Sequence, residues 1–283
     1  MFSSSLWRLY LFLVVSSMAL FYSVGHYKWS NIEKEALSDL TYSHKLITRS
    51  AHQHLRKHAV MLKLLGRRLI DIEAFENRDS AKKLMEELLQ DNQETIGYGL
   101  STTDGDLIVT ATKRKPKKFT NIRHTEFSEE SFDKALEKDK LVIGRTYFFD
   151  SLEQWIIPLR YAIKDEKGQP LAVITTAISL ESDFNPWRIT ELDEDRLITI
   201  VKSPTTHGEY YHQFAHPPIY PDSLEQTYNE PIPSDLIEYL NNLFIEETGH
   251  DIDTLMQSED IIWYKFFDSR TDQHILDMIS YNK

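Results

Sequence analysis

The chain has 283 residues, with 44 acidic against 32 basic side chains and a formal net charge of −12, which argues against nucleic acid as the main partner because phosphate contacts need a basic face. The absence of cysteine excludes a disulfide framework, a thiolate zinc site and a cysteine nucleophile. Hydrophobic residues at 41%, aromatics at 12%, and only 9 glycines and 10 prolines describe a globular chain and exclude fibrous and low-complexity classes.

The first element is an uncharged apolar run, Leu9 to Gly25, preceded by Arg8 and followed by His26 and Lys28. Its length reaches the lower bound for a bilayer span. Bulky Leu20, Phe21 and Tyr22 stand where a cleaved signal peptide wants small residues, so an uncleaved signal-anchor is favoured. Trp7, Tyr10, Tyr22, Tyr27 and Trp29 bracket the run as interfacial aromatics do. The short N-terminal tail, residues 1–8, reads as cytoplasmic and the body as exported.

From Trp29 to Ile72 there is no proline, and Ile32, Leu40, Ile47, Ala51, Leu55, Leu62, Leu65 and Leu69 recur at helical spacing, which predicts a long amphipathic helix rising from the membrane. A second helix is predicted over Ser80 to Gln90. Thr95 to Ser101 and Leu107 to Ala111 read as strands about a Thr103-Asp104-Gly105-Asp106 turn. The basic loop Lys113 to Lys118 leads to an acidic helix, Ser128 to Lys138, and then to three strands, Leu141 to Phe149, Trp155 to Ile163 and Leu171 to Leu180. The expected unit is α+β with an antiparallel sheet of about five strands. A shorter round follows Asn185-Pro186-Trp187: strands at Leu197 to Val201 and Tyr210 to Phe214, a helix from Pro233 to Thr248, and strands at Ile261 to Phe267 and Ile275 to Tyr281.

An anchor, a long rising helix and two helix-plus-sheet rounds resemble the double-Cache (PAS-like) periplasmic sensor regions of membrane-bound diguanylate cyclases and chemoreceptors. The local likeness is strongest across Leu141 to Ser179, in Ile143-Gly144-Arg145, Tyr147-Phe148, the run Trp155 to Arg160, and Asp165 with Gly168. The resemblance implies a membrane-distal module over 26–180 that holds a small-molecule pocket, and a membrane-proximal module over 181–283, here shorter and apparently truncated. It also implies an inner-membrane, single-pass protein with its body in the periplasm. Amino-acid-sensing members carry an Arg-x-Trp-Tyr motif, where this chain has Glu129-Glu130-Ser131-Phe132, and an Asp on the last strand, where Ala177 stands. A zwitterionic amino acid is therefore not supported as ligand. No GGDEF-type or signalling-helix sequence is present to carry an output.

Alternation along the strand places Arg145, Tyr147 and Phe149 on one side, with Trp155 and Ile157 near that side if the Asp150 to Gln154 loop closes a hairpin. One cation beside three rings makes a candidate ligand site of Arg145, Tyr147, Phe149, Trp155 and Ile157. The alternative is that these rings are core and Arg145 pairs with a carboxylate. Arg160 has the opposite parity from Trp155 and reads as structurally paired.

His54 and His58 stand at i and i+4, with His44 and His52 nearby, a spacing open to zinc or copper. No acidic or Cys third ligand accompanies them, so a solvated face or helix contact is preferred, as it is for His207, His212 and His216. Lys113 to Lys118 reads as a solvated loop and Asp193-Glu194-Asp195 as a charged turn. No G-x-S-x-G, H-E-x-x-H, P-loop or dinucleotide motif occurs, so neither catalysis nor a cofactor is expected. The expected function is an extracytoplasmic small-molecule sensor region, anchored in the bilayer, binding a small polar molecule in the distal module and able to form a homodimer through the long helix. The rival is a single-pass periplasmic protein-interaction module with no small-molecule ligand.

Overall fold

The computed structural model describes residues 4–115, 121–125, 127–182, 196–202, 208–216, 218–220, 222–248, 261–268 and 273–280. Helix α1 (Ser4–Asp71) runs for 68 residues, which at 1.5 Å per residue is about 100 Å. Its first part, Leu6–Ile32, is the one segment among the described residues that is long and apolar enough to cross a membrane, and none of it is buried. Farther along, Ile47, Ala51, Leu55, His58, Leu62, Leu65 and Leu69 are buried at steps of three or four residues. They form the stripe that α1 lays against the larger sheet. Helix α2 (Arg78–Asp91) adds Ala81, Met85 and Leu89 to the same layer.

Strands β1 (Thr95–Ser101) and β2 (Leu107–Thr112) come next, then α3 (Glu129–Glu137), β3 (Val142–Ile143), β4 (Tyr147–Phe149), β5 (Gln154–Lys164) and β6 (Pro170–Ser179). The six strands form one antiparallel sheet in the order β2-β1-β6-β5-β3, with β4 also pairing β5. One face carries Tyr98, Leu100, Val109, Ile157, Leu159, Tyr161 and Ile163 into the α1–α2 layer. The other is roofed by α3 and the segment before it, where Phe132 and Ile122 pack on Val173.

The strand predicted from Leu141 to Phe149 is interrupted. Residues 144–146 leave the ladder between β3 and β4. A Cβ on Gly144 would lie 2.5 Å from Pro158 Cγ and 2.7 Å from Arg160 Nη1, so only glycine lets the backbone approach this closely. Thr146 Oγ1 donates to the Gln213 carbonyl at 2.7 Å, and Gln213 Nε2 donates to the Gly144 carbonyl at 2.9 Å. The Gly144 amide still donates to the Pro158 carbonyl at 2.8 Å, and bonds to a distant segment hold the rest of the break.

That distant segment belongs to a second antiparallel sheet, β10-β9-β7-β8, made of β7 (Arg196–Lys202), β8 (Tyr211–His216), β9 (Ile261–Asp268) and β10 (Gln273–Ser280). Between β8 and β9 lie a short helix not anticipated from the sequence, α4 (Leu224–Asn229), and α5 (Ser234–Thr248). Ser223 caps α4, its Oγ accepting from Gln226 N at 3.1 Å. Strands β9 and β10 run beside α1, so both sheets lie against one helix. Asn185-Pro186-Trp187, Asp193-Glu194-Asp195, His207, Tyr281 and the end of the basic loop lie outside the described residues.

Candidate ligand-binding site

A cavity of about 70 Å³ lies between the larger sheet and the segment roofing it. Strand β1 opens space for it through Gly97 and Gly99, where a Cβ at 97 would lie 2.7 Å from the Ala111 carbonyl oxygen. Strand β5 contributes Ile156, Pro158 and Arg160, β6 contributes Thr175 and Ala177, and β4 contributes Tyr147 and Phe149. Ile122 and Thr125 line it from the roof. The alternation of a strand explains the set: residues 156, 158 and 160 share a face, and Arg160 is directly opposite Thr175 across the β5–β6 ladder.

Arg160 is the charged residue of this wall and is 1% exposed. Its Nη1 donates to Ser131 Oγ and its Nη2 to Ser128 Oγ. Those hydroxyls spend their own protons on backbone, Ser128 on the Ile122 carbonyl and Ser131 on the Ser128 carbonyl. Among the described residues no carboxylate pairs with Arg160, and its Nε has no partner. Burial lowers the pKa of the guanidinium, while the adjacent Tyr147 phenol favours the charged form. Burial also raises Tyr147, against the pull of Arg160 and a hydrogen bond with it. An arginine keeps its proton even so, which leaves a desolvated cation held by neutral hydroxyls. Two further cavity groups, Thr125 Oγ1 and Thr175 Oγ1, are buried and unpartnered.

The five residues selected from sequence are divided by the structure. Tyr147 and Phe149 line the cavity, their rings 6.1 Å apart and edge-on. Trp155 and Ile157 point to the opposite face, because Tyr147 pairs with Ile156 and Phe149 with Gln154. The loop is one residue shorter than expected, Glu153 taking φ 51° in its last position, and a shift of one residue exchanges the faces. Ile157 enters the helix-side core, and the Trp155 ring lies 5.3 Å from that of Tyr228. Arg145, in the break of the ladder, reaches the second sheet. Its guanidinium stacks 3.6 Å above the Tyr211 ring and 4.7 Å from the Phe127 ring, and Nη2 donates to the Tyr228 and Asn229 carbonyls at 3.2 and 2.9 Å. It caps the C-terminal end of α4. Phe127 also packs against Tyr147, 6.0 Å between centroids, so one ring touches both the cavity wall and the junction.

Arg160, expected to be structurally paired, does bond Ser128 and Ser131, and it also lines the cavity together with Thr125 and Thr175, none of which was selected from sequence. The sequence did hold a signal for the space they face, a Gly-x-Gly in the middle of a strand. His58, by contrast, is wholly buried in the α1 stripe, both ring nitrogens lack partners, and burial lowers its pKa to about 4. His54 lies beside it, as do the paired Lys57 and Glu94. Among the described residues no three metal-binding side chains come together.

Solved structures of similar shape come from a bacterial chemoreceptor. The ligand-binding domain of Campylobacter jejuni Tlp3 in complex with L-norvaline superposes with TM-score 0.52 at 12% identity, covering 88% of this chain and 94% of that one. Its complex with L-valine gives 0.51 at 10% identity, over 90% and 98%. With 4-methylisoleucine the values are 0.51 and 10%, over 88% and 94%. The fold is Cache-type. No family model matches the sequence, and no curated protein does. The Cache-type fold fixes the arrangement of helices and sheets; at these identities the meaning of the cavity must come from this chain's own residues.

Proposed function

We propose that the chain is the extracytoplasmic sensor region of a membrane-anchored bacterial receptor, of the chemoreceptor or diguanylate-cyclase type, that binds a small polar molecule in the cavity above β1, β5 and β6. Residues 9–25 anchor it in the inner membrane, 26–180 form the ligand-binding module in the periplasm, and 181–283 form the membrane-proximal module. The single observation that carries the reading is Arg160: a buried cation without a counter-ion among the described residues, its Nε open, on the wall of a cavity. A charge so placed is stabilised by a ligand that supplies hydrogen-bond acceptors. Tyr147 and Phe149 flank that ligand as aromatic walls.

Signal would pass in two directions from the cavity. Phe127 joins Tyr147 to Arg145, and through Arg145 to β8 and α4. On the other face of the same sheet lies α1, the helix that continues into the apolar segment. Ligand binding would shift the balance between two arrangements of these contacts by its difference in affinity for them. The test is a thermal-shift and calorimetric screen of the full chain in detergent against small polar metabolites. A ligand that stabilises the parent and leaves Arg160→Met unmoved supports the reading; a screen without a hit, or equal shifts in both proteins, refutes it.

A homodimer is the proposed assembly. Val60 and Leu64 on α1 are 53% and 59% exposed beside a groove between α1 and α2, where a second copy of the helix would cover them. Cysteine cross-linking at position 60 in membranes would capture that pair, and an exclusively monomeric product would dismiss it.

A further inference from the structure

We infer that the ligand is a short carboxylic acid without an amino group, with an oxygen substituent beside the carboxylate: a 2-hydroxy or 2-oxo acid of about five or six non-hydrogen atoms. The inference rests on the sensor reading and assigns the ligand class of the same cavity.

Charge decides the first half. Arg160 is the cavity's charged residue among the described residues, and none of the described residues lining the cavity is an aspartate or glutamate. The Tyr147 phenol, raised by burial, stays neutral. Acidic groups on the roof are engaged elsewhere, Asp133 with Arg123 at 2.8 Å and Glu130 with Lys134 at 2.8 Å. A ligand carboxylate meets the open Nε of Arg160 in a charge-assisted bond. Among the described lining residues a ligand ammonium would give up its water and meet no anion, only a methyl group at Ala177 and a guanidinium of its own sign.

Size and the unpartnered hydroxyls decide the second half. A cavity of about 70 Å³ corresponds to roughly five water sites at 10–15 Å³ each, the room taken by a three-carbon acid. Thr175 Oγ1 stands across the ladder from Arg160, and Thr125 Oγ1 faces the cavity from the roof, both buried and unbonded. Each either donates to or accepts from an oxygen on the carbon next to the carboxylate, which removes a buried unsatisfied group. Ile122 and Ile156 leave an apolar end for a methyl group.

Calorimetry on the full chain in detergent tests this with four isosteric probes: L-lactate, pyruvate, L-alanine and L-lactamide. Lactate or pyruvate is expected to bind at least a hundredfold more tightly than alanine, and lactamide not at all. Thr175→Val should weaken lactate about tenfold and leave propionate unchanged, and Ala177→Asp should reverse the preference toward alanine. Circular dichroism confirms that each variant is folded, and the near-isosteric Thr175→Val keeps the test valid if Arg160→Met does not fold. If alanine binds more tightly than lactate through Arg160, the ligand class is wrong while the sensor reading stands. If none of the acids and no other metabolite in the wider screen binds, both fall. If lactate binds equally to parent and Arg160→Met, the cavity assignment is wrong.

Discussion

Arg145 and Arg160 lie fifteen positions apart, the first in the break between β3 and β4 and the second on β5, and each is removed from bulk water in a different way. Arg145 is bonded at Nη2, where two carbonyls at the end of α4 accept from it, and aromatic rings cover it. Arg160 is more deeply buried, yet its partners are neutral: two serine hydroxyls whose protons are already committed to backbone and the Tyr147 phenol, and its Nε is open. His58 supplies the third case. It too is buried without partners, but it escapes the charge by releasing its proton, with a pKa of about 4. Arginine has no such exit. The lesson is that a guanidinium bonded to backbone carbonyls and covered by ring faces holds a structure together, and one bonded to neutral hydroxyls on the wall of a cavity is placed to meet a ligand.

The largest effect separating the two belongs to Arg145→Ala. It removes two charge-assisted bonds and the stacking on Tyr211, which join the larger sheet to α4 and β8. The expected loss is about 3 kcal/mol, from roughly 1 kcal/mol for each bond and about 1 for the cation–ring contact. Arg145→Lys should recover less than half, since an ammonium lacks the planar fork. Equilibrium denaturation in urea measures it; a loss under about 1 kcal/mol would mean that Arg145 does not hold the two sheets together. Next comes Gly144→Ala. The new Cβ lies 2.5 Å from Pro158 Cγ, 2.7 Å from Arg160 Nη1 and 2.8 Å from Ser131 Oγ, an overpacking worth about 2 kcal/mol. Because the clash falls on the guanidinium, ligand-induced stabilisation should vanish along with that stability. A variant with parental stability and parental ligand response would show that the break at 144–146 does not position Arg160.

These residues also show what a reader of the sequence could and could not obtain. Local pattern was sufficient for the apolar segment, for α1 and α2, for the β1–β2 hairpin, for α3, for β5 and β6, and for α5, because each is fixed by periodicity and turn residues within a few positions. The buried stripe from Ile47 to Leu69 follows the predicted spacing, with His58 as an unpredicted member. The site was harder. Arg160 was correctly placed on the face opposite Trp155, but the identity of that face depends on pairing Tyr147 with Ile156. Register at a hairpin turns on one residue of loop length, here the left-handed Glu153. The break after Ile143 depends on Gln213, some seventy residues away, and no local rule carries information over that distance.

Acid titration yields a smaller effect and tests the His58 case. The imidazole has its ordinary pKa of 6.5 when unfolded and about 4 when buried, with desolvation the chief cause, Glu94 opposing it and Lys57 and His54 adding to it. Between those values the unfolded chain binds more protons, so stability is full above pH 6.5 and falls as pH drops toward 4. His212, also desolvated to about 4, follows the same course in the second sheet. Each contributes a loss of about 1 kcal/mol between pH 6.5 and 5.5. His58→Leu should flatten its share of the curve and, by removing unpartnered ring nitrogens from an apolar stripe, stabilise the protein at pH 5.5. An unchanged slope in urea midpoints across this range would mean that His58 keeps a hydrogen-bonded proton in the folded state.

The smallest effect closes the contrast. Arg160→Met removes a charge from the interior and substitutes an apolar chain of similar reach. The Ser128 and Ser131 hydroxyls continue to donate to the Ile122 and Ser128 carbonyls, so the change strands no donor of theirs. Replacing a buried charge with an apolar side chain is often neutral or stabilising, and the ligand-free variant is expected within about 1 kcal/mol of the parent. Arg145 and Arg160 would then differ in opposite senses, one needed for folding and dispensable to the cavity, the other dispensable to folding and needed for the ligand. A loss of about 3 kcal/mol or more in Arg160→Met would make Arg160 a structural cation like its neighbour, and its open Nε would no longer point to a missing anion.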